Sequence, residues 1–366
     1  MRESIPWWTP QIVGSEYNLI KEVLDKNYLN EGEVTDQFER EVAKLLGVKH
    51  AVAATSGTAA LFLSLAGKGI GPNDEVIVPD VTFIATANAV RLAGAMPVLV
   101  DVCQDTLNID PERIKAAITS KTKAIIPVHV SGRAADMPVI LDIAQRHGLV
   151  VIEDAAEAFM SCSHGKYLGT FGHAGCFSFS PNKTITTGQG GMIVTDDEQL
   201  HRRLRELKDQ GRPVRGTGGD DIHHSVGYNF KLTNLQAAVG LAQLTALMSR
   251  IERQKKIHFL YREHLDNLSG IKLPGFNLEN GEVPQWTDAI VVNRDELDCY
   301  LTTRKVHCRK FWFPLHAQAP FRLPDDRFPN STSLMPHAIW LPSSFTLSDD
   351  DVFQACDLIM NFLSGK

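Results

Sequence analysis

A chain of 366 residues with 43% hydrophobic content can bury a large core and is long enough for roughly two domains. A formal net charge of −6 without any basic run argues against nucleic acid as the main partner, because a surface that tracks phosphates needs clustered lysine and arginine. The opening residues lack a signal-peptide core, no apolar run is long enough to span a bilayer, and the six cysteines are dispersed without a Cys-x-x-Cys, so a cytoplasmic protein with reduced thiols is expected.

In chain order, short β-branched runs alternate with segments of helical period. This pattern predicts an α/β fold built on a mostly parallel sheet with helices on both faces. Strands are expected at residues 75–79, 96–102, 124–130, 149–153, 175–180 and 191–195, and helices at 58–66, 83–93, 111–117, 137–147 and 198–208. Asp110 before Pro111 is a good N-cap followed by proline at the first helical position. A glycine-rich polar loop over 211–225, carrying Gly216, Gly218, Gly219, Asp220 and Asp221, reads either as a surface excursion or as a cover over a site. A long helix from Thr233 to about Leu268 is expected to bend or break near Ser249. The division follows from this: a large domain over residues 1–249 and a smaller, proline-rich α+β domain over 250–366.

Three places carry chemistry. The small-residue turn from Ala53 to Leu61 opens a helix whose free amides, with Gly57 letting the backbone close in, would bind an anion. Asp154 ends the apolar run Val150-Val151-Ile152-Glu153, at the carboxyl end of a buried strand where open α/β sheets place ligands. A carboxylate there needs a partner, and a protonated pyridine nitrogen is one. Lys183 lies in the tight turn Phe177-Ser178-Phe179-Ser180-Pro181-Asn182-Lys183, followed by Gly188-Gln189-Gly190-Gly191. Taken singly, each has a plainer reading: an ordinary capped helix, an aspartate paired with an arginine, a solvated lysine. Together they are the parts that hold pyridoxal 5′-phosphate (PLP): a lysine to tether the aldehyde, an acid to keep the ring an electron sink, and a phosphate cradle to which Ser178 adds a hydroxyl. Ala155 and Ala156 are small enough for a flat ring to lie against the backbone, and Glu157 is placed to reach the ring's phenolic oxygen.

These segments resemble the DegT/DnrJ/EryC1/StrS family of PLP-dependent sugar aminotransferases from about Trp7 to the C-terminus. The resemblance is carried by Ser56-Gly57-Thr58-Ala59-Ala60-Leu61, Thr82 to Asn88, Pro127-Val128-His129, Glu153-Asp154-Ala155-Ala156-Glu157-Ala158, the Lys183 turn, Gly227 to Ala238, and Arg309 through His316. It implies the aspartate-aminotransferase type of fold (fold type I) and a homodimer with active sites at the interface. By the same resemblance Lys183 is the Schiff-base lysine and Asp154 the partner of the pyridine nitrogen. Phe83 would stack on the ring and Glu157 would meet the phenolic oxygen. Gly57, Thr58 and Ser178 would hold phosphate, and Asn229 would reach the phosphate of the neighbouring subunit's cofactor. Glu157, with His223 ahead of Gly227-Tyr228-Asn229, looks most like the GDP-perosamine synthase branch of 4-aminotransferases. The chain departs from the common pattern at Ser131, Phe159-Met160, Gln189 and Lys231.

The expected reaction passes an amino group from L-glutamate to the cofactor, giving pyridoxamine phosphate and 2-oxoglutarate, and then to a keto-sugar. The acceptor implied is the 4-keto group of a nucleotide-linked 6-deoxyhexose, for surface polysaccharide or secondary-metabolite amino sugars. A 3-keto, UDP- or dTDP-linked, free or acidic sugar is the alternative. His223, Arg309 and His316 are candidates for the sugar-nucleotide site, each equally readable as structural; no metal is expected. Two further readings are a sugar dehydratase, which Lys183 opposes because that branch replaces the lysine with histidine, and a non-catalytic regulatory protein on the same fold.

Overall fold

A computed structural model describes residues 3–213 and 222–365. Two amphipathic helices come first, α1 (Ser15–Asp25) and α2 (Glu33–Leu46), the second stopped by Gly47, whose φ of 68° is the left-handed cap glycine adopts freely. Then follow β1 (His50–Ala54), α3 (Gly57–Gly67), β2 (Glu75–Pro79), α4 (Ala85–Leu92), β3 (Met96–Val100), α5 (Pro111–Ala117), β4 (Thr122–Ile125), α6 (Met137–His147) and β5 (Val150–Asp154). A small hairpin, β6 (Cys162–Ser163) and β7 (Lys166–Tyr167), precedes β8 (Ala174–Ser178), β9 (Gly191–Thr195) and α7 (Glu198–Lys208). The helix starts are fixed locally: the Asp110, Asp136 and Asp197 carboxylates accept from first-turn amides of α5, α6 and α7.

Among the described residues, seven of these strands form one sheet in the order β1-β9-β8-β5-β4-β2-β3. All run parallel except β9, which is antiparallel to both β1 and β8. Both faces are covered, so the strands are apolar throughout instead of alternating with polar residues. Val76 and Val78 pack under α3, α4 and α7, while Ile77 between them faces α5 and α6. Toward the β1 end, Ala51 and Met192 pack against Phe38 of α2 and Ala237 of α8 (Asn234–Leu244).

Helix α9 (Leu247–Leu265) leads to a second sheet made of β10 (Ile271–Lys272), β11 (Asp288–Val291), β12 (Arg309–Lys310) and β13 (Ala338–Trp340), antiparallel in the order β10-β11-β13-β12. It buries its apolar face against α9, α10 (Arg294–Thr303) and α12 (Asp349–Leu363), the last reached after the short α11 (Pro329–Leu334). Ile5 joins this cluster and bridges Val306, so the first described residues lie against the small sheet.

The reversed strand β9 organises the site. Its first residue, Gly191, pairs with Ser178 at the end of β8 and with Ala54 at the end of β1. The turn before Gly191 therefore joins the carboxyl ends of β1, β5 and β8 on one rim. A Cβ at Gly191 would fall 2.2 Å from the Ser56 carbonyl oxygen, so this approach demands glycine.

The helices expected at 111–117, 137–147 and 198–208 and the strands at 75–79 and 191–195 form with those bounds. The strand expected over 124–130 ends at Ile125, and Val130 sits in a 3-10 turn with Ser131 at φ 53°. The long helix breaks at Thr245–Ala246, slightly before Ser249. Helices α1 and α2 and strand β1 carry no expectation from the sequence; β1 is alanine-rich and has little intrinsic strand preference. Of the glycine-rich loop, residues 214–221 lie outside the described residues.

Candidate active site

Asp154 ends β5 with its side chain turned into the rim and 6% of the residue exposed. The Thr86 hydroxyl donates to Oδ2 at 2.8 Å and the Ala156 amide donates to Oδ1 at 3.2 Å. Thr86 in turn lies 2.8 Å from the Thr82 hydroxyl. Burial pushes the Asp154 carboxyl above its ordinary value, opposed by these donors and by the charges of Lys183 and His129. An acid so placed is suited to a cationic ligand, because burial penalises its charged form until a positive partner arrives.

Lys183 projects from a turn closed by its own amide on the Ser180 carbonyl and by the Thr187 amide on Phe179. Its Nζ lies 3.2 Å from Glu157 Oε1 and 4.8 Å above the Trp286 ring. The other Glu157 oxygen accepts from the Ser131 amide at 3.0 Å. Glu157 is as buried as Asp154, and burial raises its pKa, while Lys183 lowers it and Asp154 raises it further.

At the opposite side of the rim, Ser56 caps α3 by accepting from the Ala59 amide at 3.1 Å. The amides of Gly57 and Thr58 lie in the first turn, where a helix has no internal acceptors for them. Ser178 and Ser180 face this end with their hydroxyls 3.0 Å apart. A Cβ at Gly57 would come within 3.1 Å of Ser178 Cβ and narrow the cradle. An anion cradle at one side, a buried acid awaiting a cation and a lysine on the same rim fit a phosphorylated, basic, aldehyde-bearing ring. The residues present therefore fit PLP.

These groups open on one cavity of about 500 Å³. The cavity brings together Gly57, Thr58, Phe83, Asp154, Ala156, Glu157, Ser178, Lys183 and Arg309 from the sequence expectation. Phe83 is 53% exposed, a large aromatic face open to a ligand. The small sheet supplies the facing wall through Trp286, Trp312 and Trp340, which the sequence did not single out. Their signal was positional in one case only: Trp312 lies inside the segment from Arg309 to His316. The chain's five tryptophans gather here, with Trp7 5.3 Å from Trp286 and Trp8 6.5 Å from Trp7. The Arg309 guanidinium rests over the Trp7 ring at 4.8 Å and the Trp340 ring at 5.5 Å. Thr86, which fixes Asp154, also went unread; a threonine in the first turn of a helix has no distinctive spacing.

Three expected residues lie outside the cavity lining. Asn229 is exposed, its backbone bridged to Asp209. His223 is exposed too, its Nδ1 2.8 Å from the Gln210 carbonyl. His316, also outside the lining, is turned to a structural partner. It is 1% exposed, its Nδ1 lies 2.6 Å from Asp80 Oδ2, and its ring stacks on Phe328 at 4.5 Å. Held there, it braces the end of β2.

A family model described as the DegT/DnrJ/EryC1/StrS aminotransferase family matches residues 10–360. GDP-perosamine synthase of Escherichia coli O157:H7 is 37% identical over 369 residues, spanning 99% of this chain and 99% of that protein. Among solved structures, DesV of S. venezuelae has a TM-score of 0.91 at 34% identity, covering 95% of this chain and 94% of that one. Spr1654 of Streptococcus pneumoniae, solved in its PLP-form, has a TM-score of 0.94 at 25% identity and covers 99% of each chain.

Proposed function

The chain belongs to the DegT/DnrJ/EryC1/StrS aminotransferase family, and from that premise we propose that it transfers the amino group of L-glutamate to the 4-keto carbon of a nucleotide-linked 6-deoxyhexose. It is a PLP-dependent aminotransferase of the fold that DesV and Spr1654 share. One observation carries the reading: Lys183, Asp154 and the cradle at the start of α3 open on a single cavity. The likeness to GDP-perosamine synthase supports the choice of a GDP-linked 4-keto sugar.

When bound, PLP supplies an aldehyde that a lysine can tether and a ring that draws electrons from the bond broken at the donor's Cα. The chain's residues do the rest. Asp154 would hold a proton on the ring nitrogen by its charge, and Thr86 holds Asp154 in line. Lys183 Nζ would carry the proton, taking it from the donor Cα in one half of the exchange and giving one to the sugar carbon that gains nitrogen in the other; Glu157, 3.2 Å away, orients that amine. The α3 amides and Ser178 anchor the phosphate. Trp312, half-buried, gives a flat apolar face for a sugar ring, and the buried Trp286 and Trp340 back that wall and keep water from the proton transfers. Arg309, mounted on two tryptophans, meets the anionic part of each substrate, a carboxylate of glutamate or a phosphate of the nucleotide.

The working unit is a homodimer on this reading: Asn229 lies exposed and outside its own cavity, where it suits a neighbour's. The large domain spans residues 1–249 and the small one 250–366, with the first residues reaching across to the small sheet. Six unpaired thiols suit a cytoplasmic setting.

The test is purified, PLP-loaded protein with glutamate and a panel of GDP-, UDP- and dTDP-linked 4-keto and 3-keto sugars and free keto-sugars, read by mass. Amination of the GDP-linked 4-keto sugar is expected. Exclusive amination of a free or 3-keto sugar sinks the proposed acceptor.

A further inference from the structure

We infer that Ser131, which does not reach the cavity, positions Glu157 and ties it to the tryptophan wall of the small sheet. The inference rests on the cavity holding PLP.

Ser131 is wholly buried with φ of 53°, a conformation a residue bearing Cβ adopts only where its surroundings enforce it. Every polar atom it has is engaged. Its amide donates to Glu157 Oε2 at 3.0 Å, and its carbonyl accepts from the Gln285 amide at 2.8 Å. Its hydroxyl donates to Asp288 Oδ1 at 2.8 Å and accepts from Trp340 Nε1 at 3.2 Å. Three of these four partners belong to the small-sheet side. Asp288 and Trp340 are themselves paired across β11 and β13, and Arg133 holds the second Asp288 oxygen. Trp286 and Trp340, on the same strands or next to them, line the cavity. The wall and the Glu157 carboxylate are thus joined through one residue.

The terminal torsion of a glutamate is soft, so one hydrogen bond to one oxygen does not fix the plane of the carboxylate. The Ser131 amide pins Oε2, and Oε1 is then held at 3.2 Å from Lys183 Nζ. The charged groups acting on Glu157 are Lys183 and Asp154, with the Arg133–Asp288 pair behind Ser131. An amide that donates to the ionised carboxylate favours that form. The hydroxyl's bonds to Asp288 and Trp340 hold that amide in place, and without them it moves off Glu157 and leaves less negative charge beside the linkage between Lys183 and the cofactor. Ser131 is a positioning residue: it acts through Glu157.

The experiment loads full-length wild type, Ser131→Gly, Glu157→Gln and the double variant with PLP, then titrates the absorbance band of the lysine-bound cofactor against pH. Glycine keeps the left-handed conformation accessible and removes the hydroxyl link. In Ser131→Gly the midpoint moves down by roughly half a pH unit or more, while in the Glu157→Gln background the same change moves it by less than about half that amount. Equal shifts in both backgrounds, or a lowered Tm with no shift, overturn the inference. Should Ser131→Gly not fold, Ser131→Asn, which also tolerates this backbone, is read by the same criteria. A wild-type protein without a titratable band overturns the cofactor reading and this inference with it.

Discussion

The Thr86 hydroxyl donates to Asp154 Oδ2 at 2.8 Å, linking the second residue of α4 to the last residue of β5. The contact aims the carboxylate before any ligand arrives. Replacing Thr86 with valine keeps the shape and removes the donor. A hydrogen bond to a charged group is worth about 1.5–3 kcal/mol, so a loss of roughly ten-fold or more in kcat is expected at saturating PLP. Steady-state kinetics on the loaded variant check it; an unchanged kcat would show that Asp154 needs no such help.

Lys183→Ala should lower turnover by at least roughly 10³-fold, since it removes both the tether and the proton carrier. Borohydride reduction followed by peptide mass should find the cofactor on position 183 in wild type and nowhere in the variant. A labelled peptide that maps elsewhere in wild type would falsify the assignment.

Burial holds Asp154 and Glu157 above their ordinary values of 3.8 and 4.5. A carboxyl raised in the folded state contributes stability that is complete below the unfolded pKa and lost as pH rises through the folded one. The cofactor-free protein should therefore lose this contribution as pH climbs from about 4. A cationic ring nitrogen beside Asp154 offsets the loss, so the rise in Tm on adding PLP should grow over the same interval. Thermal melts with and without PLP from about pH 4 to 8 read this directly, and Asp154→Asn should flatten the trend. A wild-type Tm difference independent of pH contradicts it.

Arg309 touches only ring faces among its described contacts, leaving its donors for a ligand. Arg309→Ala should raise KM for the anionic substrate it binds by roughly 10–100-fold with a smaller change in kcat, the mark of lost binding shared by ground and transition states. Arg309→Lys should recover part of the loss, because a lysine keeps the charge without the planar fork. If both KM values stay put, the residue serves only the tryptophan cluster.

Asn229→Ala should weaken PLP affinity by about ten-fold without disturbing the fold, if the residue serves a neighbour's cavity. Equilibrium dialysis on the variant, together with its mass in solution, decides the matter. Full affinity in an intact dimer, or full affinity in a monomer, removes Asn229 from the site.

Much of the scaffold was legible because periodicity is a local property. The cap at Asp110 and the apolar runs of β2, β5 and β9 each declare themselves within a few residues. The alanine-rich β1 did not, since its burial comes from β9 on one edge and helices on both faces. Lys183, Asp154 and Gly57 were readable as types in an order that suits one cofactor.

What the chain settled by itself was thus the cofactor chemistry and the α/β framework, both written in short segments. The fold alone decided that β9 runs backwards, which sets Gly191 against Ser56 and Ser178 and closes the rim. It also decided that Trp286, Trp312 and Trp340 share a wall, that Ser131 reaches Glu157, and that His316 is spent on Asp80. These pairings join residues 26 to 236 positions apart, and contacts between such distant segments follow from how the two sheets pack, which no local pattern encodes.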